Sequence, residues 1–220
     1  MQSTDQVQKA KALTWRLIVA GLLLLSLFIF WGIADEIVLE HESRFDTFVF
    51  QKLSFLTSAF TTRLMLFFTF FGSNIFLLPS YILLILFFLF FKKNRKISLD
   101  IVAIGISSTA VLFLMKDIFR RTRPTDPLIK NVTGFSFPSG HSFSAFTFFG
   151  ILIYIIWKSE IKKHWKYLSS IILILFATST AFSRVYLHVH YPSDVIAGFC
   201  LSMLWLNISF WILNKLKRQV

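Results

Sequence analysis

Three short stretches carry most of the side chains in this chain that could do chemistry: Lys116 to Pro124, Pro138 to His141, and Ser183 to Asp194. In the first, Lys116, Arg120 and Arg123 stand at i, i+4 and i+7, one face of a helix if the helix runs through them. Lys offers a point charge and Arg a planar fork, a combination suited to phosphate oxygens. Pro124 disfavours helical geometry in the residue before it and is expected to end that helix. In the second stretch, Pro138-Ser139-Gly140-His141 reads as a helix start, with Pro near the first turn and Ser at the cap. The backbone N–H groups of Ser139, Gly140 and His141 are then expected to lie free at the positive end of a helix dipole, where anions bind. Gly140 permits close backbone approach. His141 brings a side chain able to carry a proton near neutral pH.

In the third stretch, Ser183-Arg184 is followed by five residues, His190, three more residues and Asp194. The i, i+4 separation lets the carboxylate hold one imidazole nitrogen and fix the tautomer, leaving the other nitrogen as a nucleophile. His188 lacks that spacing and reads as a bystander. Tyr186 and Tyr191 read as aromatic anchors at a membrane interface. Each stretch has a plainer reading beside the chemical one, since basic residues at helix ends snorkel and a histidine can sit beside a cap without working there. No His, Cys and carboxylate group has zinc-like spacing and no Asp-rich magnesium site is visible, so no cofactor or metal is expected.

The elements that must position these residues belong in lipid. The chain has 220 residues, 55% hydrophobic, with 28 Phe, which is too apolar for a soluble domain with a polar exterior. The expected fold is all-α, a polytopic membrane protein of one domain with six transmembrane helices, at about 13–34, 73–91, 97–115, 142–157, 167–186 and 195–213. The first apolar run is longer than a signal-peptide core and is expected to be a retained helix. Cys200 lies in the last run and is expected to pack there. Phe45, Phe48, Val49, Leu53, Leu56 and Phe60 recur at helical spacing among polar residues, which predicts an extracytoplasmic interfacial helix over about 44–60. The run from Leu64 to Phe91 is too long for one straight span; Gly72 and Pro79 suggest a bend, and Ser73 an alternative helix start.

Net charge is +12, and 14 of the 23 Lys and Arg residues fall in four clusters. These are Lys9, Lys11, Arg16; Lys92, Lys93, Arg95, Lys96; Lys158, Lys162, Lys163, Lys166; and Lys215, Lys217, Arg218. Six spans place all four on one side, which the positive-inside rule makes cytoplasmic together with both termini. That placement points away from nucleic acid as a partner and toward the bilayer. Six of the other nine basic residues flank the third and fifth spans on the opposite face, with His141, His190 and Asp194. A polyanion bound at the outer membrane surface accounts for them.

In order and spacing, Lys116 with six residues to Arg123-Pro124, then Pro138-Ser139-Gly140-His141, then Ser183-Arg184 through His190 to Asp194 resemble the three-part signature of the type 2 phosphatidic acid phosphatase superfamily. All three parts are complete. Length and topology most resemble the bacterial phosphatidylglycerophosphatase B and undecaprenyl-pyrophosphate phosphatase branch. The resemblance implies a metal-independent hydrolase of a membrane lipid phosphate, working through a phosphohistidine in a bacterial-type cytoplasmic membrane with its site facing outward. Carried over, it implies that His190 attacks phosphorus, that Asp194 orients it, and that His141 protonates the leaving oxygen and later activates water. Lys116, Arg123, Ser139, Gly140 and Arg184 match phosphate-cradling positions. Arg120 and Arg121 fall outside the defining positions and are assigned a second-phosphate or headgroup role. The competing expectations are an anion or lipid transporter or flippase using the same cationic face, and an inactive membrane scaffold.

Overall fold

The computed structural model describes residues 2–39, 44–130 and 132–216. Lys217 and Arg218 of the last basic cluster, and the side chains of Lys9, Lys11 and Arg16, lie outside what is described. Among the described residues the chain is helical, with no strand. In order the helices are α1 (Gln2–Leu39), α2 (Arg44–Ser54), α3 (Ala59–Phe70), α4 (Asn74–Leu86, extended by a π-helical turn Phe87–Phe91), α5 (Arg95–Phe119), α6 (Gly140–Lys158), α7 (Lys163–Tyr186) and α8 (Pro192–Leu216). Six segments of the described residues are long and apolar enough to cross a membrane: Leu17–Ile37, Ala59–Phe91, Arg95–Phe119, Gly140–Lys158, Lys163–Tyr186 and Pro192–Leu216.

Helices α6, α7 and α8 pack together at the centre; α1 lies on α8, α3 on α7, and α4 on α5. Lipid tails are as apolar as the helices, so close packing rather than water exclusion holds such spans together. At the end of the bundle where α6 begins, Phe30, Ala34 and Ile37 of α1 close over Phe137, Phe143, Ala197 and Cys200. Gly198 lets α8 approach the start of α6: a Cβ there would lie 2.8 Å from the Ser139 carbonyl oxygen and 3.1 Å from Ser142 Cβ. Ser142 Oγ donates to the Val195 carbonyl at 2.8 Å, and the Ser139 N–H to that of Asp194 at 3.0 Å. The start of the fourth span is thus stitched to the start of the last.

The segment expected as one interfacial helix over 44–60 is instead two helices. Ser58 caps α3 in a capping box with Thr61, so α2 ends at Ser54 and a turn intervenes. The Tyr186 hydroxyl holds that turn, bonding Thr61 Oγ1 at 2.5 Å and Thr62 Oγ1 at 3.2 Å and accepting from the Ser58 N–H at 3.3 Å. The bend in the long apolar run falls at 71–73, and Ser73 caps α4. Tyr186 and Tyr191 are 3% and 4% exposed, so both are interior residues rather than interface anchors.

Candidate active site

The ends of α5 and α7 and the starts of α6 and α8 meet at one end of the bundle, and each supplies part of one cluster. The stripe expected of a continuous helix through Arg123 does not form. Arg120 takes a left-handed conformation, φ 44°, and caps α5. Three neighbouring arginines therefore point three ways. Arg120 stays outside, paired with Asp117 at 2.7 Å with both side chains largely exposed. Arg121 turns inward and is 2% exposed, bonded to Asp46 at 2.8 Å and Asp194 at 2.7 Å. Its guanidinium is enclosed by protein groups. Arg123 enters the cluster through the loop.

There Arg123 Nη1 donates to the Val189 carbonyl at 2.7 Å and faces His190 Nε2 at 3.1 Å, while Nε donates to the Gly134 carbonyl at 2.9 Å. A guanidinium has donors and no acceptor, so Nε2 is the nitrogen with the lone pair and the proton sits on Nδ1. Nδ1 in turn faces Asp194 Oδ2 at 3.4 Å and Ser136 Oγ at 3.3 Å. Ser136 Oγ also donates to Asp194 Oδ2, and the Tyr191 N–H reaches the same oxygen at 3.0 Å. Burial pushes the His190 ring down to about 3, outweighing the opposing pull of Asp194. It is therefore neutral near pH 7, with an unprotonated Nε2.

His141 sits in the first turn of α6, half-buried, and its ring makes no hydrogen bond among the described residues. Arg184, His190, Arg123 and Lys116 all act on it electrostatically, which gathers the two imidazoles and three cations into one neighbourhood. Lys116 Nζ donates to the Phe135 carbonyl at 2.6 Å. Its stem also approaches Gly140: a Cβ there would lie 3.8 Å from Lys116 Cε. Arg184 is 4% exposed; Nη1 donates to Thr69 Oγ1 at 2.6 Å, and its buried Nε meets no acceptor among the described residues. A buried cationic N–H left in that state costs energy unless an anion arrives. The Ser139 N–H, expected to be free, is used on Asp194, which leaves the amides of Gly140 and His141 as those without an intrahelical acceptor. Ser139 Oγ accepts from the Ser142 N–H at 3.5 Å, completing the cap.

Several residues of this cluster lie outside the three stretches. Ser136, in the loop before Pro138, bridges His190 and Asp194 and carries no sequence signal of its own. Asp46 does carry one: with Phe50 and Leu53 it stands at i, i+4 and i+7 on the face of α2 that packs inward, an acid on an apolar stripe. Phe50 stacks on His188, ring centroids 4.4 Å apart, so that histidine helps seat α2. Gly72, read as a bend, lies against the site: a Cβ there would come within 2.6 Å of Thr180 Cγ2 and 3.0 Å of His141 Cδ2. Thr180 is fully buried and bonded to the Phe68 carbonyl at 3.0 Å, so it has little room to yield. Gly72→Ala is expected to displace His141 and to lower kcat/KM about 10–100-fold while the protein still folds. Steady-state kinetics beside thermal unfolding check this, and unchanged kinetics would show that the wall gives way.

A helical bundle with six membrane-spanning segments gathers two imidazoles, three cations and a helix N-terminus at one end, a set of groups suited to an anion. The chain belongs to the PAP2 superfamily, whose family model matches residues 98–218. It is 31% identical over 149 residues to "Phosphatidylglycerophosphatase B" of Bacillus subtilis (strain 168), covering 67% of this chain and 72% of that protein. It is 29% identical over 175 residues to "Undecaprenyl-diphosphatase" of Sulfolobus acidocaldarius, covering 76% of this chain and 78% of that one. Its fold is similar to that of a transmembrane PAP2 type phosphatidylglycerolphosphate phosphatase from Bacillus subtilis, with a TM-score of 0.77 over 90% of this chain and 96% of the other at 24% identity. The match leaves α1 to α4, and with them Asp46, Thr69 and Gly72, outside the family model.

Proposed function

We propose that the protein is a metal-independent lipid phosphate phosphatase that hydrolyses a phosphomonoester or pyrophosphate headgroup through a phosphohistidine on His190. The observation that carries this reading is the state of His190: Nδ1–H turned to Asp194 and Nε2 unprotonated among Arg123, Arg184 and Lys116. Nε2 attacks phosphorus in line, and the bond from phosphorus to the lipid oxygen breaks. His141 gives its proton to that oxygen, then takes one from the water that cleaves the P–N bond and frees phosphate. Phosphoryl transfer asks mainly for positioning and neutralised equatorial charge. Lys116, Arg123, the Arg184 Nε–H and the amides of Gly140 and His141 would supply both. Each well-placed donor contributes roughly 3–4 kcal/mol of barrier lowering.

The names of the relatives support a lipid phosphate as substrate, with phosphatidylglycerol phosphate, undecaprenyl pyrophosphate and phosphatidate as the candidates. The charge distribution supports a multi-pass protein with both termini in the cytoplasm and the site at the outer face of the membrane. Transporter sites lie near the bilayer midplane on broken helices, whereas this cluster stands at the ends of four spans. The deciding experiment compares phosphate release from these lipids, from a lipid A phosphate and from soluble phosphate esters, in detergent with EDTA. Turnover of at least one lipid in chelator, with soluble esters far slower, is the expected result. Loss of all turnover in EDTA, or vectorial transport without phosphate release in proteoliposomes, would defeat the reading.

A further inference from the structure

We infer that Asp46, on α2 and outside the three signature stretches, is a positioning residue for His190, acting through Arg121 and Asp194. The inference rests on His190 being the nucleophile. Three charged side chains form a buried line: Asp46, Arg121 and Asp194 are 1%, 0% and 0% exposed at their side chains. Arg121 divides its two terminal nitrogens, Nη2 donating to Asp46 Oδ2 at 2.8 Å and Nη1 to Asp194 Oδ1 at 2.7 Å. Ser193 joins the same line. Its N–H donates to Asp46 Oδ1 at 2.8 Å and its hydroxyl to Asp46 Oδ2 at 2.6 Å, while the hydroxyl oxygen accepts from Arg121 Nη1 at 2.8 Å. The Arg121 guanidinium carbon lies 3.9 Å from the Tyr191 ring centroid, which leaves the in-plane directions for the two carboxylates.

The two oxygens of Asp194 thus serve opposite partners. Oδ1 faces Arg121, and Oδ2 faces the Nδ1 of His190 with Ser136 and the Tyr191 amide. Phosphorylation at Nε2 turns the ring into a cation, and the negative charge left on Asp194 stabilises that cation. Without Asp46, Arg121 would draw more of that charge toward itself. Asp46 engages Nη2 of the guanidinium and leaves more of the Asp194 charge for the histidine. In so dry a setting such redistribution is felt strongly, because little solvent screens it. Ser193 and Tyr191 flank Asp194 and His190 in sequence, so the same line also fixes the first turn of α8. Helix α2, with Phe45 and Phe48 turned outward, therefore reaches the reaction through one carboxylate.

The test uses the 220-residue chain in detergent and phosphate release in mixed micelles from phosphatidate, phosphatidylglycerol phosphate or undecaprenyl pyrophosphate, whichever the wild type turns over fastest. Asp46→Asn is expected to lower kcat about 10–100-fold with KM within threefold of wild type, because the phosphate-binding cations are untouched. The double variant Asp46→Asn with Arg121→Gln removes the unbalanced cation as well and is expected to regain at least tenfold in kcat over the single variant. Damage to packing alone predicts the reverse, with the double variant at least as impaired and activity following thermal unfolding. Asp46→Asn within threefold of an active wild type overturns the positioning role while leaving the phosphatase reading intact. An inactive wild type removes the phosphatase reading and this inference with it. If neither variant folds, Asp46 is a structural anchor and the inference is wrong.

Discussion

His190→Ala is expected to reduce phosphate release from a lipid phosphate by about 10⁴-fold or more, with the protein still folded. In the proposed mechanism the imidazole supplies the attacking nitrogen, and the methyl of alanine offers nothing in its place. The variant leaves in place the cations proposed to bind the headgroup, so the defect is expected in kcat, with lipid affinity close to wild type. Rapid acid-free quenching of the wild type with a radiolabelled lipid phosphate should leave label on the protein, labile to acid as a phosphoramidate is. The variant should carry none. Residual turnover within tenfold of wild type would show that another group, or water itself, attacks phosphorus.

His141→Ala is expected to cost about 10²–10⁴-fold for a lipid substrate, the usual contribution of a positioned general acid. Leaving-group chemistry separates this from a loss of shape. A lipid alkoxide or lipid phosphate departs poorly without a proton, whereas a nitrophenolate needs none. With a nitrophenyl phosphate the first step should survive and the second should stall, because water then lacks its base. A burst of nitrophenolate approaching one equivalent per protein, followed by slow turnover, is the signature. Equal losses for both kinds of leaving group would remove His141 from the proton-transfer role and make it a packing residue.

Sequence spacing made the helix starts and the His190 and Asp194 pair legible because both depend on a single turn of backbone. Ser139 caps α6 and the i, i+4 carboxylate faces the imidazole as local geometry requires. What spacing could not supply was the chain path after Phe119. A run of basic residues with helical periodicity gives no sign of the left-handed turn at Arg120 that sends each arginine elsewhere. Ser136, Thr69 and Gly72 were out of reach for another reason: each meets the site through the docking of a loop or helix distant in sequence. Helix α2 was visible as an amphipathic pattern, yet the turn that follows Ser54 is held by the Tyr186 hydroxyl more than a hundred positions away. Asp46 stood in plain view on an apolar face, and its partner could be identified only once α2 was seated against α8.

The turn at Arg120 also changes how this molecule should be counted. Five guanidinium and ammonium groups come from the signature stretches, but Arg120 is offset by Asp117, and Arg121 by two acids. The lure that a headgroup meets is accordingly smaller than the formal charge suggests, and it acts at contact range, well inside the roughly 8 Å over which physiological salt screens. On the proposed reading recognition becomes a matter of aim: the site should sort ligands by where their oxygens point more than by how much charge they carry.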